Sequence, residues 1–324
     1  MTNTAFGQGP IRIGISSCLL GEEVRFDGGH KRDRFLTDVL GPFVEWVPVC
    51  PEVELGMGIP REAVHLESAG DDSGVRMVGV KSGTDHTAAM GRFVRSRVRT
   101  LGELDLCGYV LKKGSPSCGM ERVRVFRGKG MPSRDGRGLF AAGLMERLPL
   151  LPVEEEGRLH DPPLRENWIE RVFAYRRLRN LFAERLSRRR LVEFHTAHKL
   201  QLMAHSPKAN RELGRLVAEA HALPAPELRS RYESGFMEAL AHKATPGRHR
   251  NVLEHMLGYF RDRLDAETRA EMARLVADYH ARLVPLVVPL SLIAHYVRKL
   301  DVAYLRGQVY LAPHPKELML RNHV

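Results

Sequence analysis

The chain has 324 residues, of which 43% are hydrophobic and 27% are charged. This composition is typical of a folded globular protein of about two domains, and it excludes a disordered chain or a Gly/Pro repeat protein. No apolar stretch reaches the roughly 20 residues of a transmembrane helix, and the first residues lack the pattern of a signal peptide. We therefore expect a cytoplasmic protein that does not bind a membrane.

The formal net charge of +11 is unevenly distributed along the chain. Residues 1–160 contain 22 basic and 21 acidic side chains, whereas residues 161–324 contain 28 basic and 18 acidic side chains. All 4 cysteines lie in the first part, and most of the 15 histidines lie in the second. This division predicts a near-neutral domain that carries the chemistry, followed by a basic binding domain.

The first part of the chain alternates strand-like and helical segments. Residues 11–15, 43–47 and 107–111 are short β-rich runs, and residues 87–104 have apolar side chains at helical spacing. Strands that alternate with helices predict a parallel sheet with helices on both faces. We therefore expect an α/β parallel-sheet domain over residues 1–155.

Three of the cysteines follow predicted strands: Cys18, Cys50 and Cys118. Loops converge at the carboxyl edge of a parallel sheet, so three thiolates from distant segments could meet there. The paired Cys-x-x-Cys spacing of structural zinc is missing from the sequence, and a disulfide is unusual in the cytoplasm. Two interpretations remain, zinc with one open position or a [4Fe-4S] cluster with one iron that has no protein ligand. We expect Cys107, at the start of its strand, to be a buried apolar residue.

Four sequence motifs together resemble the thiouracil desulfidase family. They are Ser17–Gly21, Val24–Gly28, Val49–Glu52 and Lys113–Gly119, and the similarity extends over about residues 10–155. The resemblance implies a [4Fe-4S] cluster whose ligands are Cys18, Cys50 and Cys118. It also implies that Glu52 and Ser115 are the catalytic pair.

We also expect Arg25 and Asp27, in a loop that could hydrogen-bond the edge of a pyrimidine, and Ser117 to bind the substrate. Phe26 stands where we expect Tyr in the Arg-Tyr-Asp-Gly motif, so one hydroxyl is missing here. The residues alone allow simpler roles, because the Asp27-Gly28 pair is typical of a turn, Glu52 of a solvated loop and Ser115 of a cap.

The chemistry expected of such a site is non-redox removal of sulfur. A thiocarbonyl is a soft donor, and an iron with an open position is a suitable Lewis acid for it. Water then adds to the ring carbon, and the sulfur leaves onto iron as hydrosulfide. Glu52 would act as the acid and base in these steps, and Ser115 would orient the water or the ring carbonyl.

The second part of the chain has a helical pattern from Leu164 onward, interrupted by prolines. We expect a linker over residues 156–165 and a basic all-α domain over residues 166–324. The first predicted helix carries a run of arginines interleaved with aromatic residues, which predicts a strongly positive face suited to phosphate contacts. His195 and His198 are three residues apart, and we expect them to be packed in the core rather than to bind a metal.

The second part also resembles an all-helical domain that occurs fused to the desulfidase domain, from about residue 190 to the end of the sequence. Fused proteins of this kind are similar to tRNA 4-thiouridine desulfidases. The sequence therefore predicts an enzyme that converts 4-thiouridine in tRNA to uridine. The alternatives are a desulfidase that acts on free thiouracil or thiouridine, and a non-catalytic nucleic-acid-binding or redox-sensing iron–sulfur protein.

Overall fold

The computed structural model describes residues 9–70, 74–128, 130–184 and 186–324. The chain divides into two compact units between His160 and Asp161. One unit contains Pro10–His160 and is called the α/β unit here, and the other contains Asp161–Val324 and is called the helical unit. The division lies inside the predicted linker, residues 156–165. Parts of this segment are regular, because Arg158–His160 form a 3-10 turn and a helix begins at Pro162.

The strands and helices of the α/β unit are, in chain order, β1 (Arg12–Ser16), β2 (Glu45–Val49), α1 (Pro51–Glu54), β3 (Val64–Ser68), β4 (Val75–Gly79), α2 (Thr87–Glu103), β5 (Leu106–Leu111), β6 (Val123–Phe126), β7 (Ser133–Gly136), α3 (Leu139–Arg147) and β8 (Val153–Glu155).

The main sheet is parallel throughout, with strand order β2-β1-β5-β8. This order confirms the predicted α/β parallel sheet. β5 lies inside the sheet and is buried along its whole length. A Cβ atom on Gly14 would lie 2.2 Å from the ring of Tyr109, so the close approach of β1 and β5 needs glycine here.

Helix α2 packs on the sheet through the apolar side chains that its spacing predicted. Met90, Val94, Val98 and Leu101 are its buried residues. A side chain every three to four residues falls on one face of a helix, so this pattern could be read directly from the sequence.

A second sheet, also of four strands, has strand order β4-β3-β6-β7 and was not predicted. It pairs β3 with β4 and β6 with β7 in antiparallel fashion, and β3 with β6 in parallel fashion. Its strands are four or five residues long, and β7 has the sequence Ser-Arg-Asp-Gly. Such a segment has low intrinsic β-propensity, so tertiary pairing rather than local sequence places it in a sheet.

The longer helices of the helical unit are α4 (Pro162–Ala183), α5 (Arg188–His205), α6 (Pro207–Ala218), α7 (Ala225–Ala241), α8 (Pro246–Leu257), α9 (Ala266–His280) and α10 (Val287–Lys299), followed by the short α11 (Ala303–Arg306). The predicted all-α domain is therefore confirmed.

Prolines and capping residues set the helix boundaries. Pro162, Pro207 and Pro246 each open a helix at its first position, where proline loses no helical hydrogen bond. The preceding side chains of Asp161 and Ser206 accept hydrogen bonds from Leu164 N and Ala209 N. The proline breaks in the sequence thus mark helix starts. Among the described residues, no helix is long and apolar enough to cross a membrane.

The arginines of α4 do not form the exposed positive face that the sequence predicted. Arg176 and Arg177 are both 8% exposed, and Arg177 Nη2 donates to the carbonyl oxygen of Pro313 at 2.5 Å. Trp168 and Leu178 are fully buried on the same helix. The long apolar stems of arginine let these side chains enter the interior, so α4 is a core helix of its unit.

Candidate functional site

A cavity of about 400 Å³ lies at the carboxyl ends of β1, β2 and β5. Parallel strands deliver their following loops to one edge of the sheet, which is why segments far apart in sequence meet there. Seven of the eight residues predicted for the site line this cavity, and they are Cys18, Arg25, Cys50, Glu52, Ser115, Ser117 and Cys118. The eighth, Asp27, does not line it.

Each of the three cysteines occupies the turn that follows a different strand. Cys18 lies in the 3-10 turn Ser17–Leu20 after β1, and Cys50 is the residue between β2 and α1. Cys118 lies in the loop after β5 and is 5% exposed. Cys107 is fully buried inside β5, and its Sγ contacts the carbonyl oxygen of Asp105 at 3.7 Å. The prediction that Cys107 is an apolar core residue, separate from the other three, is confirmed.

Burial raises the pKa of all three cavity thiols. Desolvation raises the pKa of Cys18 to about 11 and that of Cys118 to about 12, and it also raises the pKa of Cys50. Thiolates in this environment need a compensating positive charge, which a bound metal centre supplies. The chemistry of the donor set therefore fits a metal centre with cysteine ligands.

Glu52 is held at two points by neighbouring side chains. Arg61 donates to Glu52 Oε2 from Nε at 2.9 Å and from Nη2 at 2.6 Å. Ser117 Oγ donates to the other oxygen, Glu52 Oε1, at 2.6 Å. The side chains of Arg61 and Glu52 are only 5% and 12% exposed. Both carboxylate oxygens are therefore oriented, which is the condition for a positioned acid or base.

The two predicted serines have different surroundings. Ser115 Oγ accepts hydrogen bonds from the backbone N–H of Ser117 at 3.3 Å and of Cys118 at 3.1 Å. It also lies 3.0 Å from Ser117 Oγ. Ser115 thus braces the loop that carries Cys118, and Ser117 is the hydroxyl in direct contact with Glu52. The sequence predicted Ser115 as the catalytic partner of Glu52, whereas the hydroxyl that contacts Glu52 is that of Ser117.

The Arg25–Gly29 loop contributes a cation and an aromatic ring to the cavity. The Arg25 guanidinium lies 5.4 Å from the centroid of the Phe26 ring, and both residues line the cavity. Asp27 is half exposed, pairs with Arg25 at 3.4 Å and accepts from the backbone N–H of Gly29 at 3.1 Å. This backbone hydrogen bond lowers the pKa of Asp27. Asp27 therefore stabilises its own turn.

Four basic residues that line the cavity were not among the predicted site residues, namely Lys31, Arg61, Lys112 and Lys113. Arg61 contacts Glu52 but belongs to none of the recognised motifs, and only the fold brings the two together. Lys112 lines the cavity, donates from its backbone N–H to Ser16 Oγ at 3.0 Å and pairs through its ammonium with Glu156. The position of Lys112 at the end of a predicted strand was a usable signal, because this is the edge where the cysteines were expected.

The two histidines of α5 are packed in the interior of the helical unit. His198 stacks on Phe194 with ring centroids 4.0 Å apart, and His195 Nδ1 lies 3.2 Å from the hydroxyl of Tyr232. Burial lowers the pKa of His195 to about 4 and that of His198 to about 3. These surroundings agree with the predicted role in the core.

Comparison with known proteins gives the two halves of the chain different matches. Residues 13–156 match the 2-thiouracil desulfurase family, and residues 199–315 match a family described as a protein of unknown function, DUF1722. The chain is 35% identical to the uncharacterized protein YbgA of Escherichia coli strain K12 over 158 residues, which are 48% of this chain and 94% of YbgA. It is 30% identical to the uncharacterized protein YbbK of Bacillus subtilis strain 168 over 140 residues, which are 41% of this chain and 88% of YbbK.

One solved structure is also similar to part of the chain. It is described as the [4Fe-4S]-dependent thiouracil desulfidase TudS and is 31% identical, with a TM-score of 0.39. The similarity covers 47% of this chain and 94% of that one.

The fold and the cysteine-lined cavity thus define an α/β enzyme domain followed by a helical domain. The chain belongs to the 2-thiouracil desulfurase family, and the predicted resemblance and the predicted desulfidase activity are confirmed.

Proposed function

We propose that this protein is an iron–sulfur desulfidase that converts 4-thiouridine in tRNA to uridine and releases hydrosulfide. The observation that carries the proposal is the convergence of Cys18, Cys50 and Cys118 with the held carboxylate of Glu52 in one cavity. Soft thiolate donors suit an iron–sulfur centre, and a fixed carboxylate suits proton transfer to and from water.

The three cysteines would hold a [4Fe-4S] cluster, which when bound supplies a Lewis-acid site for the thiocarbonyl sulfur. Arg61 and Ser117 hold the Glu52 carboxylate in the wall of the cavity. Glu52 accepts a proton from the water that adds to the ring carbon and returns it as the carbon–sulfur bond breaks. One carbon–oxygen bond replaces one carbon–sulfur bond, so the reaction needs no oxidant or reductant.

The cavity walls suit a pyrimidine ring. Phe26 is 39% exposed and offers an aromatic face, and Arg25 and Lys112 add hydrogen-bond donors that match ring carbonyl oxygens. The volume of about 400 Å³ lies in the range typical of small-molecule sites.

The case for tRNA as the substrate depends on charge. Residues 161–324 carry 28 basic against 18 acidic side chains, although several arginines among them are buried. Exposed cations remain, including Arg188 and Arg189 at the start of α5. A polyanionic substrate accounts for this excess better than a neutral base does, because phosphate contacts dominate nucleic-acid affinity.

The test uses full-length protein purified without oxygen. We expect a brown protein with about four irons and four sulfides per chain, which removes the near-ultraviolet absorbance of 4-thiouridine from tRNA and releases sulfide. A colourless protein that contains stoichiometric zinc, or a brown protein that leaves every thiolated base intact, would contradict the proposal.

A second candidate is desulfuration of free thiouracil or thiouridine, and the match of residues 13–156 to the 2-thiouracil desulfurase family favours it. The two candidates separate by kcat/KM measured on tRNA and on free base with the same preparation. A higher value on the free base would favour this second candidate.

A further inference from the structure

The helical unit encloses a second cavity, of about 330 Å³, which the proposed chemistry does not use. It lies between α4, the end of α5, the start of α8, the end of α9 and the C-terminal residues. Its volume approaches that of the cysteine-lined cavity. Its buried glutamates, here called the floor, and its exposed cations, here called the mouth, differ in charge.

Two glutamates on α4 form the floor of this second cavity. Arg321 donates from Nε to Glu166 Oε1 at 3.1 Å and from Nη2 to Glu170 Oε1 at 2.5 Å. His205 Nε2 lies 2.9 Å from the second oxygen of Glu170. Three of the four carboxylate oxygens therefore have close hydrogen-bond partners, and the positions of both side chains are fixed.

The fourth oxygen, Glu166 Oε2, is left with a weaker contact. Within the described part of the chain its recorded partner is His323 Nε2 at 3.6 Å, beyond a normal hydrogen bond. The Glu166 side chain is 12% exposed and lines the cavity. A mostly buried carboxylate oxygen without a close donor favours a ligand that brings an N–H group to it.

The mouth of the cavity carries positive charge. Lys243 and Arg282 are exposed residues of its lining, and neither forms an ion pair with the described part of the chain. Both follow helix ends, Lys243 after α7 and Arg282 after α9. Two cations without acidic partners at the mouth of one cavity match an anionic group such as a phosphate.

Two aromatic side chains also line this cavity. Tyr279 and His249 are each 8% exposed, line the cavity and meet edge to face with centroids 6.1 Å apart. Aromatic and histidine side chains are the surfaces on which unstacked bases pack in RNA-binding proteins. The lining of the cavity therefore combines a carboxylate acceptor, two aromatic rings and two cations.

We propose that this second cavity is a nucleotide-binding site, in which the base donates an N–H to Glu166 Oε2 and the phosphate pairs with Lys243 and Arg282. The base would be one with an exocyclic amino group, because a carboxylate accepts from such groups at the Watson–Crick edge. A divalent cation suits the same floor less well, since the Arg321 guanidinium already lies against both carboxylates.

Titration of the full-length protein with nucleoside monophosphates, followed by calorimetry, tests the site. We expect saturable binding of GMP, CMP or AMP that is stronger than binding of UMP, of ribose 5-phosphate and of inorganic phosphate. The double variant K243A/R282A should bind roughly tenfold more weakly or worse, because two charge-assisted contacts are lost. The control K208A/R211A removes the same charge from exposed positions on α6 and should bind as the wild type does.

Glu166→Gln tests the floor, because it replaces one carboxylate oxygen with an amide donor. We expect the preference for amino-bearing bases over UMP to fall while phosphate pairing remains. Its unfolding midpoint is measured alongside, so a folding defect is recognised. Absence of saturable binding, equal loss in both double variants, or phosphate binding as tight as nucleotide binding would each overturn the proposal.

The nucleotide could be free or part of an RNA chain, and in the second case the inference rests on the proposed tRNA substrate. RNA is identified as the source if a trinucleotide binds at least tenfold more tightly than the monophosphate and loses this gain in K243A/R282A. Equal affinities of the trinucleotide and the monophosphate would identify the free nucleotide. Sulfide release from free thiouracil, measured on the same variants, reports the proposed function separately, so the two failures can be told apart.

Discussion

The α/β unit and the helical unit each contain a polar cavity with a buried arginine–glutamate contact, but the two cavities suit different ligands. In the α/β unit one carboxylate, Glu52, is held by Arg61 beside three buried thiols. In the helical unit two carboxylates share Arg321, and the nearby mouth carries cations. Soft sulfur donors dominate the first site, and hard oxygen and nitrogen groups dominate the second.

The comparison teaches that the net charge of a domain does not locate its binding site. The helical unit has the larger basic excess, yet Arg176, Arg177 and Arg321 are buried in it. Arginines inside a unit stabilise it, whereas exposed cations without acidic partners are available to a ligand. Five predictions test this contrast, and they follow in order of expected effect.

Replacing Cys18, Cys50 or Cys118 by serine should have the largest effect, because a hard hydroxyl is a poor iron ligand. We expect loss of most bound iron and of sulfide release from thiouracil, measured by iron and sulfide analysis and by the visible spectrum. Cys107→Ser is the matched control and should keep its iron, since Cys107 lies inside β5. Loss of iron in Cys107→Ser to the same extent would contradict the assignment of ligands.

Glu52→Gln should lower kcat by about 10²- to 10⁴-fold through loss of acid–base catalysis, with the iron content unchanged. Glu54→Gln is the matched control on the same short helix, because Glu54 pairs with Arg97 at 2.8 Å and not with the cavity residues. Steady-state kinetics on thiouracil distinguish the two variants. Equal losses in both would mean that the helix, and not the Glu52 carboxylate, determines activity.

Arg321→Ala should destabilise the helical unit by about 3–5 kcal/mol, because it leaves Glu166 and Glu170 buried without their counterion. Chemical denaturation followed by circular dichroism measures the change. Arg306→Ala removes an exposed arginine from the same C-terminal region and should change stability far less. If the two variants proved equally stable, the buried network would have no structural role.

Acid should weaken the helical unit. Burial lowers the pKa of His198 and of His249 to about 3, against an ordinary value of 6.5. Below pH 6.5 the unfolded chain therefore binds protons that these folded-state imidazoles do not, and stability falls as the pH falls. The loss approaches about 1.4 kcal/mol per pH unit for each histidine.

Denaturant titrations between about pH 7 and about pH 5 measure this slope. His198→Gln should be less stable than the wild type near neutral pH but should show a shallower slope. His221→Gln, at an exposed position on the surface, is the control and should keep the wild-type slope. An unchanged slope in His198→Gln would refute the assignment.

The smallest effect on stability is expected at the surface. Arg189 is 88% exposed and pairs with Glu193 at 2.8 Å on the same helix, so Arg189→Ala should change the unfolding free energy by less than about 0.5 kcal/mol. If Arg189 contacts a tRNA phosphate, the variant should bind tRNA more weakly. The slope of log K for tRNA binding against log salt concentration should also become shallower by about one unit. Unchanged tRNA binding at every salt concentration would exclude Arg189 from the interface.

Most of the α/β framework and of the cysteine site could be predicted from the sequence. Alternating β-rich and amphipathic segments indicated the parallel sheet, and the turns after the strands indicated where Cys18, Cys50 and Cys118 would meet. These signals are local, since each depends on a few consecutive residues and on the fixed geometry of parallel strands.

The parts that were missed depend on contacts between distant segments. Arg61 has no motif, and its role appears only where the chain returns to Glu52. The second sheet contains β7, which is polar and short, so strand pairing rather than intrinsic β-propensity places this segment in a sheet. The sequence predicted that the arginines of α4 form a charged surface. This prediction was wrong because the spacing of residues along a helix does not show how many neighbouring helices cover each of its faces.

The strand β8 lies at one edge of the parallel sheet and is the last strand of the α/β unit in chain order. Just beyond it, Glu156 pairs with the ammonium of Lys112 and accepts from the backbone N–H of Lys113 at 2.7 Å, at the start of the loop that carries Cys118. During synthesis the first two cysteines therefore leave the ribosome long before the segment that secures the third. A nascent chain that ends before Glu156 lacks both contacts at the start of the Cys118 loop, so this wall of the cavity should be the last to become ordered.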